Sequence, residues 1–403
     1  MGQLLAGPFC GQMLGDYGCD VVKIEPPGSG DPMRQWGRHQ PGGSSLWWPV
    51  VARNKRSVAI DLRTPEGQEL TLGLVAQADI VVENFRPGTL ERWGMGFDHM
   101  KRLNPDVILV RITGYGQNGP YSPRPGYGSV GEAMGGIRYV TGDPSTPPSR
   151  IGISLGDALA GLYGTIGALV ALHDRQRTGE AQEVDVALYE AVLALMESTI
   201  PEYALTGDIR ERSGSILPNV APSNVYPTKD GATVVVAANQ DTVFKRLSLA
   251  MDRPDLSTDP RYSSHSARGA HQAELDELIA VWTADHLAED LLTLFDEHGI
   301  PSGYVYRAPE MLADPHFAAR ESIVTLDHPI LGDFPMQSVV PKFKTRPLKP
   351  RTLGPRLGEH TREVLDEWLS LPGNRIDELA TNGIVQTLQP ADMQAFAYDK
   401  KGA

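Results

Sequence analysis

One carboxylate, Asp157, stands in a setting where it could act as a nucleophile. It follows the stretch GISLG at residues 152–156 and comes just before an apolar, helix-forming run rich in alanine and glycine. Small side chains there leave room for a ligand beside the carboxylate, and the amino end of a helix stabilises negative charge, including that of an oxyanion. N-capping of the helix is the alternative role that these residues leave open for Asp157.

Two glycine patterns could approach a phosphate-bearing ligand. GYGQNG begins at Gly114 and GYGSVG begins at Gly126, and both fit the G-x-G-x-x-G spacing of dinucleotide sites. A dinucleotide site needs a strand before the pattern and a helix after it. The first pattern runs into prolines and the second follows a proline-rich loop, so we expect tight turns rather than a nicotinamide site. Because ligands bind at the carboxyl ends of parallel strands, residues 114–136 remain a candidate site.

The spacing of histidine and cysteine does not support metal chemistry. The ten histidines include no H-x-x-x-H or H-E-x-x-H pair, and Cys10 and Cys19 lack C-x-x-C spacing. We therefore predict no metal site and no prosthetic group. Two cysteines are also too few for a disulfide framework, which favours a reducing, cytoplasmic location.

The elements that must position Asp157 alternate between strands and helices. Strand-like runs of β-branched residues lie at residues 20–25, 57–62, 79–83 and 107–113. Thr64 as N-cap and Pro65 as the first helical residue predict one of the intervening helices. A further unit comprises a helix at 161–172, a strand at 182–186 and a helix at 188–198. The pattern predicts an α/β fold with a doubly wound parallel sheet.

A smaller α+β domain is expected after this sheet. A stretch rich in glycine, serine and proline near residues 206–222 predicts the boundary. After it come a β-hairpin with Asp230 and Gly231 in the turn and three amphipathic helices. We expect a large domain at residues 1–205, a small domain at 206–322, a return to the large domain at 323–370 and a C-terminal extension at 371–403.

The composition is that of a soluble protein that binds neither nucleic acid nor a membrane. The 403 residues are 41% hydrophobic and 22% charged, and 37 basic against 50 acidic side chains give a net charge of −13. A chain this acidic repels nucleic acid and anionic lipid, so an anionic ligand needs a local basic cluster. The longest apolar run, residues 161–172, is too short to cross a bilayer and predicts a buried helix.

Several long motifs, found in one order, resemble those of the family III coenzyme A transferases. They are AGPFCGQMLGDYGCDVVKIE at residues 6–25, NKRSVAIDL at 54–62, VENFRPGTL at 82–90, ITGYGQNGPY at 112–121, AMGG at 133–136, TG at 141–142 and GISLGD at 152–157. The resemblance extends to about residue 365. It implies a Rossmann-like large domain built from both ends of the chain, a smaller middle domain and an interlocked homodimer.

Carried over onto this sequence, the resemblance implies both a nucleophile and a coenzyme A site. Asp157 matches the nucleophilic aspartate of the family. The implied coenzyme A contacts are Leu5, Ala6, Ile60, Asp61, Leu62, Arg63, Asn84, Phe85, Arg86, Arg92, Pro125, Gly126, Tyr127 and Gly128. The arginines among them suit phosphate because a guanidinium offers several donors in a rigid fork. Without the resemblance, the same arginines would be interpreted as solvated surface residues.

The implied reaction moves coenzyme A between two carboxylic acids. The Asp157 carboxylate attacks the donor thioester, and the mixed anhydride that forms becomes an aspartyl-CoA thioester, which the acceptor acid resolves. We expect succinyl-CoA as donor and a dicarboxylic or hydroxy-dicarboxylic acid as acceptor, because residues 134–141 and 190–203 are similar to that branch of the family. The alternatives are a thioesterase, in which water is the acceptor, and a non-catalytic acyl-CoA-binding protein.

Some positions depart from the family pattern. The 2-methylacyl-CoA racemases of the family have a histidine where this chain has Tyr127, which argues against that activity. SILPNVAP at residues 215–222 replaces the glycine run of formyl-CoA transferases, so formate and oxalate are not expected substrates. Pro26 and Pro125 replace basic residues that some relatives have near coenzyme A.

Two further points stay open from the sequence. Relatives usually have a strand before residue 6, where this chain has only residues 1–5, so either the start is assigned late or the first strand is truncated. The residue that holds the acceptor carboxylate is also open, with Arg38, His39 and Arg138 as candidates.

Overall fold

The computed structural model describes residues 1–43 and 45–388, which fold as two compact units. Within the described residues, the larger unit comprises residues 1–137, 151–200 and the chain from 318 onward, and the smaller unit comprises Arg138–Arg150 and Pro201–Phe317. The predicted C-terminal extension is described only as far as residue 388, and the remainder of it lies outside the described residues.

The strands of the two units are short. In chain order they are β1 (Val21–Glu25), β2 (Lys55–Ile60), β3 (Ile80–Glu83), β4 (Ile108–Thr113), β5 (Glu183–Ala187), β6 (Ser223–Pro227), β7 (Thr233–Ala237), β8 (Ser302–Tyr304), β9 (Ile323–His328), β10 (Gly332–Gln337) and β11 (Val385–Gln386).

The α-helices range from a single turn to the long helix that carries Asp157. They are α1 (Ala6–Asp16), α2 (Trp48–Val51), α3 (Pro65–Val75), α4 (Thr89–Arg92), α5 (Phe97–Leu103), α6 (Gly128–Met134), α7 (Ile137–Val140), α8 (Leu155–Thr178), α9 (Leu188–Leu193), α10 (Thr199–Thr206), α11 (Asp241–Ala250), α12 (His265–Ala270), α13 (Gln272–Ala284), α14 (Ala288–Glu297), α15 (Ala308–Ala313), α16 (Pro315–Ala319), α17 (Thr361–Leu369) and α18 (Gly373–Thr381).

Parallel strand pairing dominates the larger unit and confirms the predicted α/β fold. In one sheet β1 pairs parallel with β2, and the short β11 pairs antiparallel on the far side of β2. In a second sheet β3, β4 and β5 are parallel neighbours in that order. Every residue of β4 is buried, as expected for a central strand of a parallel sheet that is covered on both faces.

The larger unit differs from the prediction of one continuous sheet. In the described residues β1 and β3 have no strand partner on the sides that face each other. A cavity of about 520 Å³ lies between them, lined by Val21 and Ile24 of β1, Ile80 and Val82 of β3, and the buried Lys55. Two half-sheets therefore flank this cavity, and α1 contacts strands of both of them.

Local sequence signals explain why the predicted elements form. Thr64 caps α3, since its hydroxyl accepts the Gly67 N–H at 3.1 Å, and Pro65 is the first helical residue. The predicted strands before residue 190 lie within about two residues of β1 to β5. The helix predicted at 188–198 is shorter, because α9 ends at Leu193 and Glu197 has a positive φ of 48°.

The smaller unit folds around its own core. The hairpin β6–β7, with Gly231 at a positive φ of 75° in its turn, packs with α11, α13 and α14 around the buried Phe244 and Phe295. This unit also takes in residues 138–150, which the sequence assigned to the large domain. The physical reason is hydrogen bonding, since the Gly214 N–H donates to the Gly142 carbonyl at 3.0 Å.

The long helix α8 has one buried and one exposed face. Gly161, Gly164 and Ala168 lie on the buried face, whereas Ile166 is 47% and Val170 62% exposed. The prediction of a buried helix at 161–172 is therefore wrong for one of its faces. By length and composition alone, α8 is the helix of the described residues that could cross a membrane, although 44% of its apolar window is buried inside the protein.

Candidate active site

Asp157 lies in the first turn of α8. The helix begins at Leu155 with Ser154 as its N-cap residue, so Asp157 is already helical and the alternative N-cap role is wrong. Its side chain is half-buried. The positive end of a long helix dipole stabilises the carboxylate and would stabilise an oxyanion formed beside it.

The backbone of Gly128 lies directly against the Asp157 carboxylate. A Cβ atom built on Gly128 would be 2.2 Å from Asp157 Oδ2 and 2.7 Å from Cγ, far inside van der Waals contact. Gly128 is the first residue of α6, so the start of this helix faces the first turn of α8. Only glycine can occupy this position while Asp157 keeps its place.

The other small residues near Asp157 have a different role from the predicted one. A Cβ on Gly161 would be 2.8 Å from the Ala6 carbonyl oxygen of α1, and one on Gly164 would be 2.9 Å from Ile112 Cδ1 of β4. Gly161 and Gly164 therefore allow α8 to pack closely on protein, and the space next to them is not free for a ligand.

A second carboxylate, Glu132, approaches the same turn of α8 and was not identified from the sequence. It is 2% exposed, and its Oε1 accepts the Gly156 N–H at 3.2 Å. Glutamate in a short helix usually indicates a surface position, which is why composition did not mark it. The available signal was its spacing, since Gly128 and Glu132 are four residues apart and share one face of α6.

The loop after β4 closes on itself and returns the chain to Asp157. A Cβ on Gly114 would be 2.7 Å from the Cα of Gly126, so the two glycines touch and residues 115–125 form the loop between them. The Gln117 N–H donates to Asp185 Oδ2 at 2.8 Å and fixes the loop to β5. The first glycine pattern therefore enters a loop, and the second follows one, as the sequence indicated.

Of the expected coenzyme A contacts at the end of β2 and just after it, some lie in the core and others at the surface. The Ile60 side chain is fully buried. The Asp61 N–H donates to the Ile384 carbonyl at 2.9 Å, because the unforeseen strand β11 covers this part of β2. Arg63 is exposed and hydrogen bonds to the Asp61 carboxylate at 2.8 and 3.0 Å, which lowers the pKa of Asp61 below its ordinary value.

The expected residues after β3 lie near those after β2. Phe85 and Leu62 pack against one hydrophobic cluster that contains the buried Leu90. Arg86 and Arg92 are exposed at the edge of this cluster. Arg63 and Arg86 each follow one of these two apolar residues directly in sequence, and both are exposed.

Asn84 fixes the start of the chain rather than projecting into solvent. Its Oδ1 accepts the Gln3 N–H at 2.6 Å and its Nδ2 donates to the Gln3 carbonyl at 2.8 Å. Leu5 is half-buried and Ala6 is 4% exposed, so the side chain of Ala6 belongs to the core around α1. Any ligand contact at Ala6 is therefore made through its backbone.

The remaining expected contacts lie where the loop meets α6. Pro125 is exposed, and Tyr127, the residue before α6, is 67% exposed. Gly126 contacts Gly114 through its backbone, as described above. Arg38 and His39 are exposed in the larger unit, whereas Arg138 belongs to the smaller unit.

Two other nucleophile types near α8 are poor candidates. Gly152–Gly156 fits the G-x-S-x-G spacing of serine hydrolases, but Ser154 is a helix N-cap and residues 147–153 before it contain no strand. Cys10 of α1 is fully buried, and burial raises the pKa of its thiol to about 11, which disfavours a thiolate. Within residues 1–43 and 45–388 no cluster of histidine, cysteine and carboxylates could hold a metal ion.

Comparison with known proteins supports one family for the whole chain. The model of "CoA-transferase family III" matches residues 1–361. Succinyl-CoA–D-citramalate CoA-transferase of Chloroflexus aurantiacus is 57% identical over 96% of each chain. The beta subunit of succinyl-CoA–L-malate CoA-transferase from the same organism is 39% identical over 95% of each chain. The crystal structure of a CaiB/BaiF family protein from Brucella suis superimposes with a TM-score of 0.81 at 35% identity, covering 91% of this chain and 97% of that one.

Proposed function

The chain belongs to CoA-transferase family III, and we propose that it transfers coenzyme A from succinyl-CoA to D-citramalate through a covalent intermediate on Asp157. The chain is an enzyme, a CoA transferase that acts on acyl-CoA and carboxylate substrates. The observation that carries the choice of acids is the 57% identity, over nearly the whole chain, to a transferase with that activity. A lower identity of 39% to a relative named for L-malate supports the wider class of hydroxy-dicarboxylic acceptors.

The proposed first half-reaction moves the succinyl group onto the protein and then exchanges it for coenzyme A. An Asp157 carboxylate oxygen attacks the thioester carbonyl, the C–S bond breaks, and CoA thiolate leaves a succinyl-aspartyl anhydride. The thiolate then attacks the aspartyl carbonyl, which releases succinate and leaves an aspartyl-CoA thioester. Because a carboxylate is a weak nucleophile, its fixed position against Gly128 supports this step.

The proposed second half-reaction repeats the same steps in reverse order, with the acceptor acid in place of succinate. A carboxylate of D-citramalate attacks the aspartyl thioester, CoA thiolate leaves, and a citramalyl-aspartyl anhydride forms. The thiolate attacks the citramalyl carbonyl, and the Asp157 carboxylate is regenerated. The amino end of α8 would stabilise the oxyanion at each step, since it lies within one turn of the reacting carboxyl.

The choice of acids is tested with a panel of acceptors. With succinyl-CoA as donor, we expect D-citramalate to give the highest kcat/KM, at least about tenfold above glutarate, since a site that hydrogen bonds a hydroxyl discriminates against an acid that lacks it. Chromatography of the acyl-CoA products measures this for both citramalate enantiomers, L-malate, glutarate and a monocarboxylate control.

Three results of the panel would contradict the proposal in different ways. Transfer to monocarboxylates alone would reject the dicarboxylate class. Release of coenzyme A at a rate that no added acid changes would indicate a thioesterase. Exchange of the proton next to a thioester carbonyl without transfer would indicate a racemase, against which the exposed Tyr127 at the histidine position argues.

We propose that Arg63, Arg86 and Arg92 bind the phosphates of coenzyme A. Each Arg→Ala change is expected to weaken coenzyme A binding by about 5- to 50-fold, because each removes a charge-assisted hydrogen bond. The exposed pair of Arg63 with Asp61 does not prevent this, since such surface pairs contribute little stability.

Isothermal titration with coenzyme A measures the effect of these arginines. Arg102→Ala on α5 is the matched control, since Arg102 is also exposed but was not assigned to the ligand. Unchanged affinity in all three variants would contradict the assignment. Weaker binding of all four variants by the same factor would indicate only a general effect of removing one positive charge.

We propose that two copies form an interlocked dimer that covers the exposed face of α8. Leu162, Tyr163, Ile166, Leu169 and Val170 form an apolar stripe on this face, and each is at least 36% exposed in the single chain. An apolar stripe of this kind on one face of a helix marks an interaction surface. Two-fold pairing of the same face is the commonest way to bury it.

Light scattering after size-exclusion chromatography tests the dimer. The wild type is expected at twice the chain mass, and Ile166→Glu/Val170→Glu is expected to be monomeric or unstable. Val281→Glu, an equally exposed position on α13, is expected to leave the dimer intact. A monomeric wild type, or a dimer that survives both changes on α8, would contradict the proposal.

We also propose a cytoplasmic location. Cys10 and Cys19 are both free thiols, and they are the only cysteines of the chain. A protein without disulfides suits a reducing compartment.

A further inference from the structure

Glu132 is a buried carboxylate on the helix that faces Asp157. It is 2% exposed, and the other buried residues of α6 are Gly128 and Gly131. A carboxylate is rarely buried unless its hydrogen bonds are worth more than its lost hydration. Its position on the same helical face as Gly128 directs it towards the first turn of α8.

Glu132 contacts the peptide that leads into Asp157. The Gly156 N–H donates to Glu132 Oε1 at 3.2 Å, in a buried setting. This N–H is among the first of α8, which have no acceptor within the helix. Glu132 on α6 therefore supplies an acceptor for one N–H of the first turn of α8.

Helices α6 and α8 pack closely against each other at Gly156. A Cβ on Gly156 would be 3.0 Å from the Gly128 carbonyl oxygen and 3.1 Å from Glu132 Cγ. Gly156 is thus held between two residues of α6, and Asp157 contacts one of the same two. Helix α6 therefore packs against two consecutive residues of α8, Gly156 and Asp157.

We infer that Glu132 is a positioning residue, which fixes the Asp157 carboxylate for attack on the thioester by anchoring the Gly156 peptide to α6. This inference rests on the proposed role of Asp157 as nucleophile. Without the acceptor, the buried Gly156 N–H loses its partner and the first turn of α8 can shift. Small displacements of a reacting group away from the attack geometry lower the rate of the chemical step far more than they weaken binding.

Steady-state kinetics on Glu132 variants test the inference. Glu132→Ala is expected to lower kcat by about 30- to 100-fold, with less than about a threefold change in KM for succinyl-CoA. Glu132→Gln is expected to keep kcat within about threefold of the wild type, because an amide oxygen still accepts the Gly156 N–H. The rescue by Gln and the split between kcat and KM are readouts that a purely structural role would not produce.

A control for loss of a buried carboxylate is Asp16→Asn. Asp16 is 5% exposed and accepts hydrogen bonds from Arg53 and Asn54 away from Asp157. We expect this variant to lower Tm while leaving kcat of the folded protein unchanged. If Glu132→Ala does not fold, Gly156→Ala replaces it, since the added Cβ presses on Glu132 and Gly128, and it is expected to lower kcat by about tenfold.

The outcomes separate this inference from the proposed function. Wild-type protein that turns over succinyl-CoA without a covalent adduct on Asp157 would refute the nucleophile and leave nothing for Glu132 to position. An adduct on Asp157 together with wild-type kcat in Glu132→Ala, or in Gly156→Ala where that variant stands in, would overturn the inference alone. Equal losses in the Ala and Gln variants would also overturn it, because the lost charge and not the lost acceptor would then be responsible.

Discussion

Replacement of Asp157 by alanine is expected to lower turnover of succinyl-CoA by at least about a thousandfold and to abolish every covalent adduct on the protein. The variant loses the attacking oxygen, so neither the anhydride nor the aspartyl-CoA thioester can form. Binding of coenzyme A should change little, because the Asp157 side chain is not among the groups proposed to bind its phosphates. Asp157→Asn is expected to be as inactive, since its amide oxygen is a poor nucleophile.

Mass spectrometry of trapped protein is the decisive measurement for Asp157. Wild type mixed with succinyl-CoA and treated with hydroxylamine should carry a hydroxamate on the peptide that contains Asp157, and borohydride should leave an alcohol there. Asp106→Asn is the control, because Asp106 is an exposed carboxylate that precedes β4, away from the carboxyl end of that strand. Turnover that survives in Asp157→Ala would assign the chemistry to another group.

Gly128→Ala is expected to lower kcat by about a hundredfold or more with little loss of thermal stability. The added methyl would lie 2.2 Å from Asp157 Oδ2, so the carboxylate must rotate or α6 must move away from α8. Gly128 has no positive φ, so the effect comes from the occupied space and not from backbone strain. A shift of about 1 Å in a reacting group is enough for a loss of this size.

Single-turnover kinetics distinguish this effect from general destabilisation. The rate of adduct formation on Asp157 should fall in Gly128→Ala, while Tm stays close to that of the wild type. Gly303→Ala is the matched control, because a Cβ there meets nothing within 4 Å and its φ is also unstrained. A variant Gly128→Ala with normal adduct formation would show that the carboxylate reacts from a different conformation.

Much of the fold followed from short-range signals in the sequence. Runs of β-branched residues and the Thr64-Pro65 start of α3 were sufficient to locate β1 to β4 and that helix closely. The strand β11 gave no such signal, because its two residues are too few to show a period and its pairing with Ile60 spans more than three hundred positions. The assignment of residues 138–150 to the smaller unit depends likewise on long-range bonds, such as that between Gly214 and Gly142.

The candidate site was only partly predictable for the same reason. Asp157 was identified by its motif, but the residues that hold it come from α6, a separate segment of the chain. Gly128 was expected to contact coenzyme A, and the sequence did not indicate that a Cβ at this position would meet the Asp157 carboxylate. Glu132 was missed because a glutamate in a short helix is usually exposed, and its four-residue spacing from Gly128 was the one signal that marked it.

The cavity between β1 and β3 has a consequence for how the larger unit loses its structure. In the described residues no strand-to-strand hydrogen bond joins the two half-sheets, so they can separate without breaking backbone hydrogen bonds between strands. Helix α1 contacts strands of both half-sheets and holds them together. Parts of a protein that unfold as separate cooperative units each have their own free energy of local unfolding. The β1–β2 and β3–β4–β5 amides should therefore exchange with solvent as two groups with different protection. A ligand that binds at the amino end of α1 would couple the two groups.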